Sequence, residues 1–303
     1  MMQRDEGPLL ARWLRYYGNL FGADNLTIMD NGSTDPETLS YLRSAELAGT
    51  KVMRDFVSAH DFQHKGGHFV NIIRHIWDPN GGYDFALPVD CDEFLAVFTE
   101  QGISTKREDI LEEFEGLKDA VMSLRIPLSM FNVPGRLGWY APITNFHKGF
   151  VRAGTLKIMD SGQHEPITAT PGYQSTRFTY LHEHNRPYVE FRRRLMLKLR
   201  GMVDTEDAEA LTSYLENPPA HGAHIAEALR MSEADYLSRY SDMPLVWVPT
   251  FSGRSKIEVD GLLGWWSNEK YLRNNPDVGG YHLGLLQHYL TFGWREGRRV
   301  EFS

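Results

Sequence analysis

The chain has 303 residues, a formal net charge of −8 and 42% apolar residues. That length buries one large core with an appendage, and the acidic balance excludes a general nucleic-acid binder. A single cysteine, Cys91, excludes an internal disulfide framework and a cysteine-based zinc site.

Met1-Met2-Gln3 reads as the tail of a first strand, so the chain is expected to begin late within it. Residues 8–21 follow as an amphipathic helix, with Leu9, Leu10, Trp13, Leu14, Tyr17 and Phe21 near helical spacing and Pro8 in the first turn. Strand 25–30, helix 36–48, a short strand at 51–53, helix 67–77 and strand 83–90 then alternate. Such alternation predicts an α/β fold with a largely parallel sheet covered on both faces. Helix 107–116, an apolar strand over 120–126 and a Pro-, Gly- and aromatic-rich stretch over 127–180 come next, the last expected to border the acceptor side of a cleft. A basic helix over 188–200 carries Arg192, Arg193, Arg194, Lys198 and Arg200, either a solvated face or a contact for phosphates or anionic headgroups.

No stretch reaches the roughly 18 apolar residues that a bilayer span needs. Arg4, Asp5 and Glu6 interrupt any leader at once. The expectation is a cytoplasmic protein, with room for peripheral contact at the inner membrane.

Two motifs carry chemistry. Asp90-Cys91-Asp92-Glu93-Phe94 follows an apolar run that reads as a buried strand. Carboxylates at i and i+2 can converge on one hard cation, and the carboxyl ends of strands in open α/β sheets are where ligands bind. The alternative is that both acids cap the next element. Cys91 between them is a buried spacer, since alternate strand residues face opposite ways. The second motif, Asp30-Asn31-Gly32-Ser33-Thr34-Asp35, closes another strand. Gly32 permits a tight turn, and Ser33, Thr34 or Asp35 can cap the helix that follows.

In this order, Arg4-Asp5-Glu6-Gly7, Trp13 to Tyr17, Gly22-Ala23-Asp24, Asp30 to Asp35 and Val89 to Leu95 resemble the GT-A glycosyltransferases, in a family-2-like branch with an Asp-x-Asp-Glu-Phe signature. The likeness covers roughly residues 1–200. It implies a Rossmann-like, mostly parallel sheet with helices on both faces. It also implies transfer of a sugar from a nucleoside diphosphate donor, UDP-sugar favoured, to a glycan or lipid-linked acceptor, with inversion and with Mn2+ or Mg2+ as cofactor. Carried over residue by residue, Asp92 is the metal ligand and a catalytic group. Asp90 reaches the ribose and the metal-bound water, and Glu93 completes the shell or anchors the loop. Asp30 and Asn31 contact ribose or base, supported by Glu6.

Lys65, on the glycine-rich segment Gln63 to His68, is a candidate phosphate contact or an ordinary loop lysine. A further metal ligand in such enzymes is a distant histidine followed nine residues later by Phe. His182 with Phe191 fits, although Glu183 stands where the family has Tyr; His184 and His164 are the alternatives. Tyr17 replaces a residue that is often His, with consequences for acceptor or base contacts. Glu165 is a candidate general base, and Trp139 and Tyr140 could stack on a sugar.

Residues 1–205 are thus expected to form the transferase domain and 206–260 a helical extension and linker. Residues 261–303 should form a small helical module resembling one found in bacterial polysaccharide-related proteins. Two other functions fit parts of the pattern. A nucleotidyltransferase would want a basic glycine loop where Arg4-Asp5-Glu6-Gly7-Pro8 stands; a non-catalytic glycan-binding protein would not need Asp30, Asp90 and Asp92 together.

Overall fold

The computed structural model describes residues 1–199, 202–219, 223–249 and 253–302. Met2–Gln3, Thr27–Asp30 and Lys51–Met53 form a three-stranded parallel sheet in chain order, with Met2 opposite Met29 and Thr27 opposite Lys51. Parallel neighbours need crossovers. Helices Pro8–Phe21 and Pro36–Leu47 supply them. The first helix buries Leu10, Trp13, Tyr17 and Leu20, an i, i+3, i+7, i+10 stripe. Asp35 caps the second by accepting from the Thr38 N–H.

The rest of the sheet structure is not mostly parallel. An eight-stranded sheet runs Leu262–Trp265, Lys256–Val259, Leu245–Trp247, Trp139–Ile143, Ser129–Asn132, Phe178–His182, Glu93–Thr99, Gly102–Ser104. Within it, Phe178–His182 and Ser129–Asn132 pair in parallel and the other neighbours pair antiparallel. A third sheet orders Tyr173–Ser175, Ser123–Ile126, Lys148–Arg152 and Phe85–Ala86. Regular alternation of strand and helix stops at Phe85–Ala86; from there to His182 only helix Arg107–Gly116 interrupts a run of short strands that follow one another directly, which favours antiparallel pairing.

Two boundaries move in ways that matter for the site. The expected strand 83–90 shrinks to Phe85–Ala86, because Pro88 cannot donate to a ladder. Asp90, Cys91 and Asp92 therefore sit in the turn that opens strand Glu93–Thr99 rather than at the end of a strand. The helix expected at 67–77 begins at Lys65 and runs to Ile72, followed by a π-helical turn, Ile73–Trp77.

Helix Tyr188–Leu199 packs with Ala208–Glu216 and Ala223–Arg230 on a core of Leu195, Leu199, Tyr214, Ile225 and Leu229. Arg200 of the expected basic stripe lies outside the described residues. The span read as extension and linker also supplies Leu245–Trp247 and Lys256–Val259 to the large sheet, and the expected boundary at 260/261 falls between two paired strands. Trp266, Tyr271, Leu286, Tyr289 and Leu290 share one apolar core with Phe94 and Phe98, so the C-terminal helices are part of the main body. Among the described residues, no helix is long and apolar enough to cross a membrane.

Candidate metal centre

Strand pairing brings the two halves of the site together. Strand Phe178–His182 runs antiparallel to Glu93–Thr99, with His182 opposite Glu93. One residue further on, the Glu183 N–H donates to the Asp92 carbonyl at 2.8 Å. This register sets Asp92 beside His182, whose Nε2 lies 3.5 Å from Asp92 Oδ1. Asp92, His182 and His184 each turn one ligand atom inward, and the three atoms lie within 4.8 Å of one another.

The His182 ring is buried against Phe131 and Phe146, and its Nδ1 has no partner among the described residues. Burial opposes the charged forms of both Asp92 and His182, but the pair wins: the Asp92 carboxyl is held below its usual range and the His182 pKa is raised. His184 is exposed at its surface, yet the protein packed around its ring still desolvates it. With His182 beside it, its pKa falls to about 4, so it is neutral and able to ligate at pH 7.

Asp90 faces other partners. Its Oδ1 accepts from Lys65 Nζ at 2.5 Å and its Oδ2 from Lys148 Nζ at 3.0 Å. Burial would raise the Asp90 pKa, but the two ammonium groups, Lys148 foremost, pull it far below the carboxylate range. Lys148 is 2% exposed and also meets Glu93 Oε1 at 3.0 Å and Gln163 Oε1 at 3.3 Å. Glu93 is fully buried, and its Oε2 accepts from the Asp90 N–H at 2.9 Å. Of its two expected roles Glu93 therefore takes the anchor.

Lys65 is not on a loop but is the first residue of its helix. That helix is set close to a neighbouring segment, because a Cβ on Gly66 would come within 2.6 Å of the Asp160 carbonyl oxygen.

Asp30 and Asn31 do not join this centre. Asp30 Oδ1 accepts from Gln3 Nε2 and Ser33 Oγ, and Asn31 Nδ2 donates to the carbonyls of Phe56 and Ser58, so both brace their own loop. Glu6 reaches Asp30 only through Gln3, whose Oε1 accepts from the Glu6 N–H and whose Nε2 donates to Asp30, and its carboxylate turns elsewhere. It pairs with Arg186 and Arg194, each at 3.3 Å. Arg186 in turn lowers the Asp92 pKa, so the Glu6 cluster borders the centre.

His164 binds Asp160 and is separated from His182 by the Phe146 ring. Glu165 is exposed and pairs with Arg125 and His147. Tyr17 is a core clamp rather than an acceptor contact: its hydroxyl donates to the Glu93 carbonyl at 2.9 Å and accepts from the Leu95 N–H at 3.0 Å. Arg136 lies over the Trp139 ring, and Tyr140 donates to Glu183. Cys91 is buried among apolar residues, and its burial, with the charges of Glu6 and Asp92, holds the thiol protonated.

Lys148, Gln163 and Arg186 escaped the sequence reading. For Lys148 a signal existed: in Phe146-His147-Lys148-Gly149-Phe150 a period of two puts the lysine on the face of two phenylalanines.

No family model, curated protein or solved structure matches this chain.

Proposed function

We propose that this protein is a metal-dependent glycosyltransferase of the GT-A kind, moving a sugar from a nucleoside diphosphate donor to a glycan or lipid-linked acceptor. The observation that carries the reading is the Asp92, His182 and His184 cluster, assembled from two segments that the sequence had singled out separately for one cation. The unpartnered Nδ1 of His182 and the neutral state of His184 fit such a group. One carboxylate with two imidazoles suits manganese better than magnesium, which prefers all-oxygen shells.

When bound, the cation would supply Lewis-acid stabilisation of charge on a departing diphosphate. The chain's own residues do the rest. Asp92 and the histidines hold the cation. Arg186 adds positive charge near Asp92 and, like Arg194, is restrained by Glu6. Tyr17 and Glu93 fix the turn that carries the acids. Inversion at the sugar carbon, a UDP donor and contact with a membrane surface belong to the same proposal.

Asp92→Asn tests it. Titration calorimetry with UDP and Mn2+ should show metal-dependent binding in the parent and its loss in the variant, with the circular dichroism spectrum unchanged. Equal affinity in both would sink the assignment. Because two imidazoles and a carboxylate also hold ferrous iron elsewhere, competition among Mn2+, Mg2+, Zn2+ and Fe2+ belongs in the same experiment.

A further inference from the structure

We propose that Trp139, Trp247, Lys256 and Trp265 form a binding platform for an acidic polysaccharide chain, which stacks on the indoles and pairs a sugar carboxylate with Lys256. That this chain is the acceptor rests on the transferase reading above; the platform as a binding site does not.

The four residues lie in one line across four strands. Trp139 stands opposite Trp247, Trp247 opposite Lys256, and Lys256 opposite Trp265. Directly opposed residues share a face of the sheet, so the line crosses three interstrand steps of about 4.8 Å each. Neighbouring residues of the same strands, Tyr140, Val246 and Ile257, are buried in the main core on the other face. The line itself is half-buried.

This face also carries the candidate metal centre. His182 stands opposite Phe131, Phe131 opposite Ala141, and Ala141 is two residues from Trp139 on the same strand. Two residues make one period of a strand, so the platform lies one step along the face from the row of His182. A polymer lying on the indoles therefore shares a surface with the site at which a sugar would be added.

The chemistry is that of an acidic sugar. An indole offers a flat apolar surface to the C–H face of a sugar ring and an N–H to its hydroxyls. The indole N–H groups of Trp139, Trp247 and Trp265 donate to no described residue, whereas that of Trp266 donates to Asn268. Trp247 and Trp265 meet edge to face with centroids 6.3 Å apart, and Lys256 Nζ lies 5.4 Å from one ring and 4.9 Å from the other. Among the described residues no carboxylate pairs with Lys256, so a sugar carboxylate drawn to it brings its ring against both indoles. Arg136 lies over Trp139 and Arg254 over Trp265. Glu258, which holds Arg136 by two hydrogen bonds, is the one acidic residue in the four strands, although the chain as a whole carries −8. A single-stranded nucleic acid would need a basic groove tracking its phosphates, and Lys256 is the one basic residue in these strands.

The test uses the whole chain in EDTA, without nucleotide. Calorimetric titration compares a mannuronate hexasaccharide, a hyaluronan hexasaccharide, the neutral mannose hexasaccharide and a thymidine hexanucleotide. An acidic hexasaccharide should bind about tenfold more tightly than the neutral one, the worth of one charge-assisted hydrogen bond. Trp265→Ala, on the edge strand, should weaken that binding by about tenfold through loss of an aromatic anchor. Lys256→Gln should erase the preference for the acidic chain and flatten its dependence on salt. The two variants remove different chemistry, so either one decides where the other does not fold. Mn2+ affinity should be unchanged in both, because neither residue belongs to the cluster of Asp92, His182 and His184. Failure of the parent to bind either acidic chain, equal binding of the neutral one, tighter binding of the hexanucleotide, or unchanged affinity in a folded variant would each overturn the proposal. Binding of an acidic chain by a parent that binds no Mn2+ would uphold the platform and overturn the metal reading instead.

Discussion

Asp90 and Asp92 are separated by one residue and live in opposite surroundings. Asp90 is neutralised by two ammonium groups within a closed network of Lys65, Lys148, Glu93 and Gln163. Asp92 faces two imidazoles, one with a buried nitrogen that no described residue satisfies. The first region has spent its electrostatic capacity inside the fold; the second holds some in reserve. The difference teaches that a carboxylate pair in a motif does not fix its own chemistry. Strand Lys148–Arg152 and strand Phe178–His182, from two different sheets, decide it.

The strongest way to break this contrast is Lys148→Met. Removing one partner of a buried charge network leaves Glu93 without its ammonium partner and Asp90 with Lys65 alone, a cost of about 3–5 kcal/mol. Asp92→Asn, at a carboxylate with no lysine partner, leaves a histidine that can shed its proton, and should cost less while abolishing metal binding. Urea unfolding of the two variants measures both. Equal destabilisation would mean that the regions do not differ as described.

Tyr17→Phe asks whether both regions depend on one support. The Tyr17 hydroxyl satisfies the Glu93 carbonyl and the Leu95 N–H at once, on the strand that follows both acids. Its loss leaves buried backbone groups unpaired and should cost about 1–3 kcal/mol. Mn2+ affinity of the folded variant should not change, since no ligand is touched. A drop in affinity without a drop in stability would restore Tyr17 to a role in the site.

How much of this was legible beforehand follows from the range of the interactions. Helices Pro8–Phe21, Pro36–Leu47 and Arg107–Gly116 came out within a residue or so of their expected bounds, because apolar spacing and proline at the first turn are local signals. His182 stands out with Asp92 through the His-to-Phe spacing of the family the chain resembles, and strand register sets the two together. The lysine network was not legible. Lys148 is 58 residues from Asp90, and nothing local says that a lysine in an aromatic strand will find two buried carboxylates. The mostly parallel sheet failed for a similar reason, since pairing direction after Met53 depends on which short strands meet.

Gly66 and Gly67 separate placement of Lys65 from helix propensity. Both lie in helix Lys65–Ile72. A Cβ at Gly67 meets nothing within 4 Å, so Gly67→Ala should stabilise by about 1 kcal/mol through propensity. A Cβ at Gly66 would meet the Asp160 and Met159 carbonyl oxygens at 2.6 and 2.8 Å, so the helix must shift and that gain is lost. Gly66→Ala should therefore melt below the parent and Gly67→Ala above it. If both alanines melt above the parent, the helix is not seated against Asp160 as described.

The smallest effect concerns the Asp92 side. Helix Tyr188–Leu199 brings Arg194 to Glu6, and Glu190 holds Arg193 and Arg194 from the first turn. Hydrogen bonds from Arg193, then from Arg194, outweigh partial burial and lower the Glu190 pKa from 4.5 to about 2. A carboxyl depressed on folding stabilises above its unfolded pKa, and that contribution disappears as pH falls through the folded value. The pairs are solvated, so Glu190→Gln should cost under about 1 kcal/mol at pH 7. The gap to the parent should narrow from about pH 4.5 downward and close near pH 2, and 1 M salt should shrink it at pH 7 because surface pairs are screened. The Asp90 and Lys148 pair, being buried, should resist the same salt. A Glu190→Gln deficit that stayed constant across this range would show that the side chain acts through packing, and the charge contrast between the two regions would then stop short of this helix.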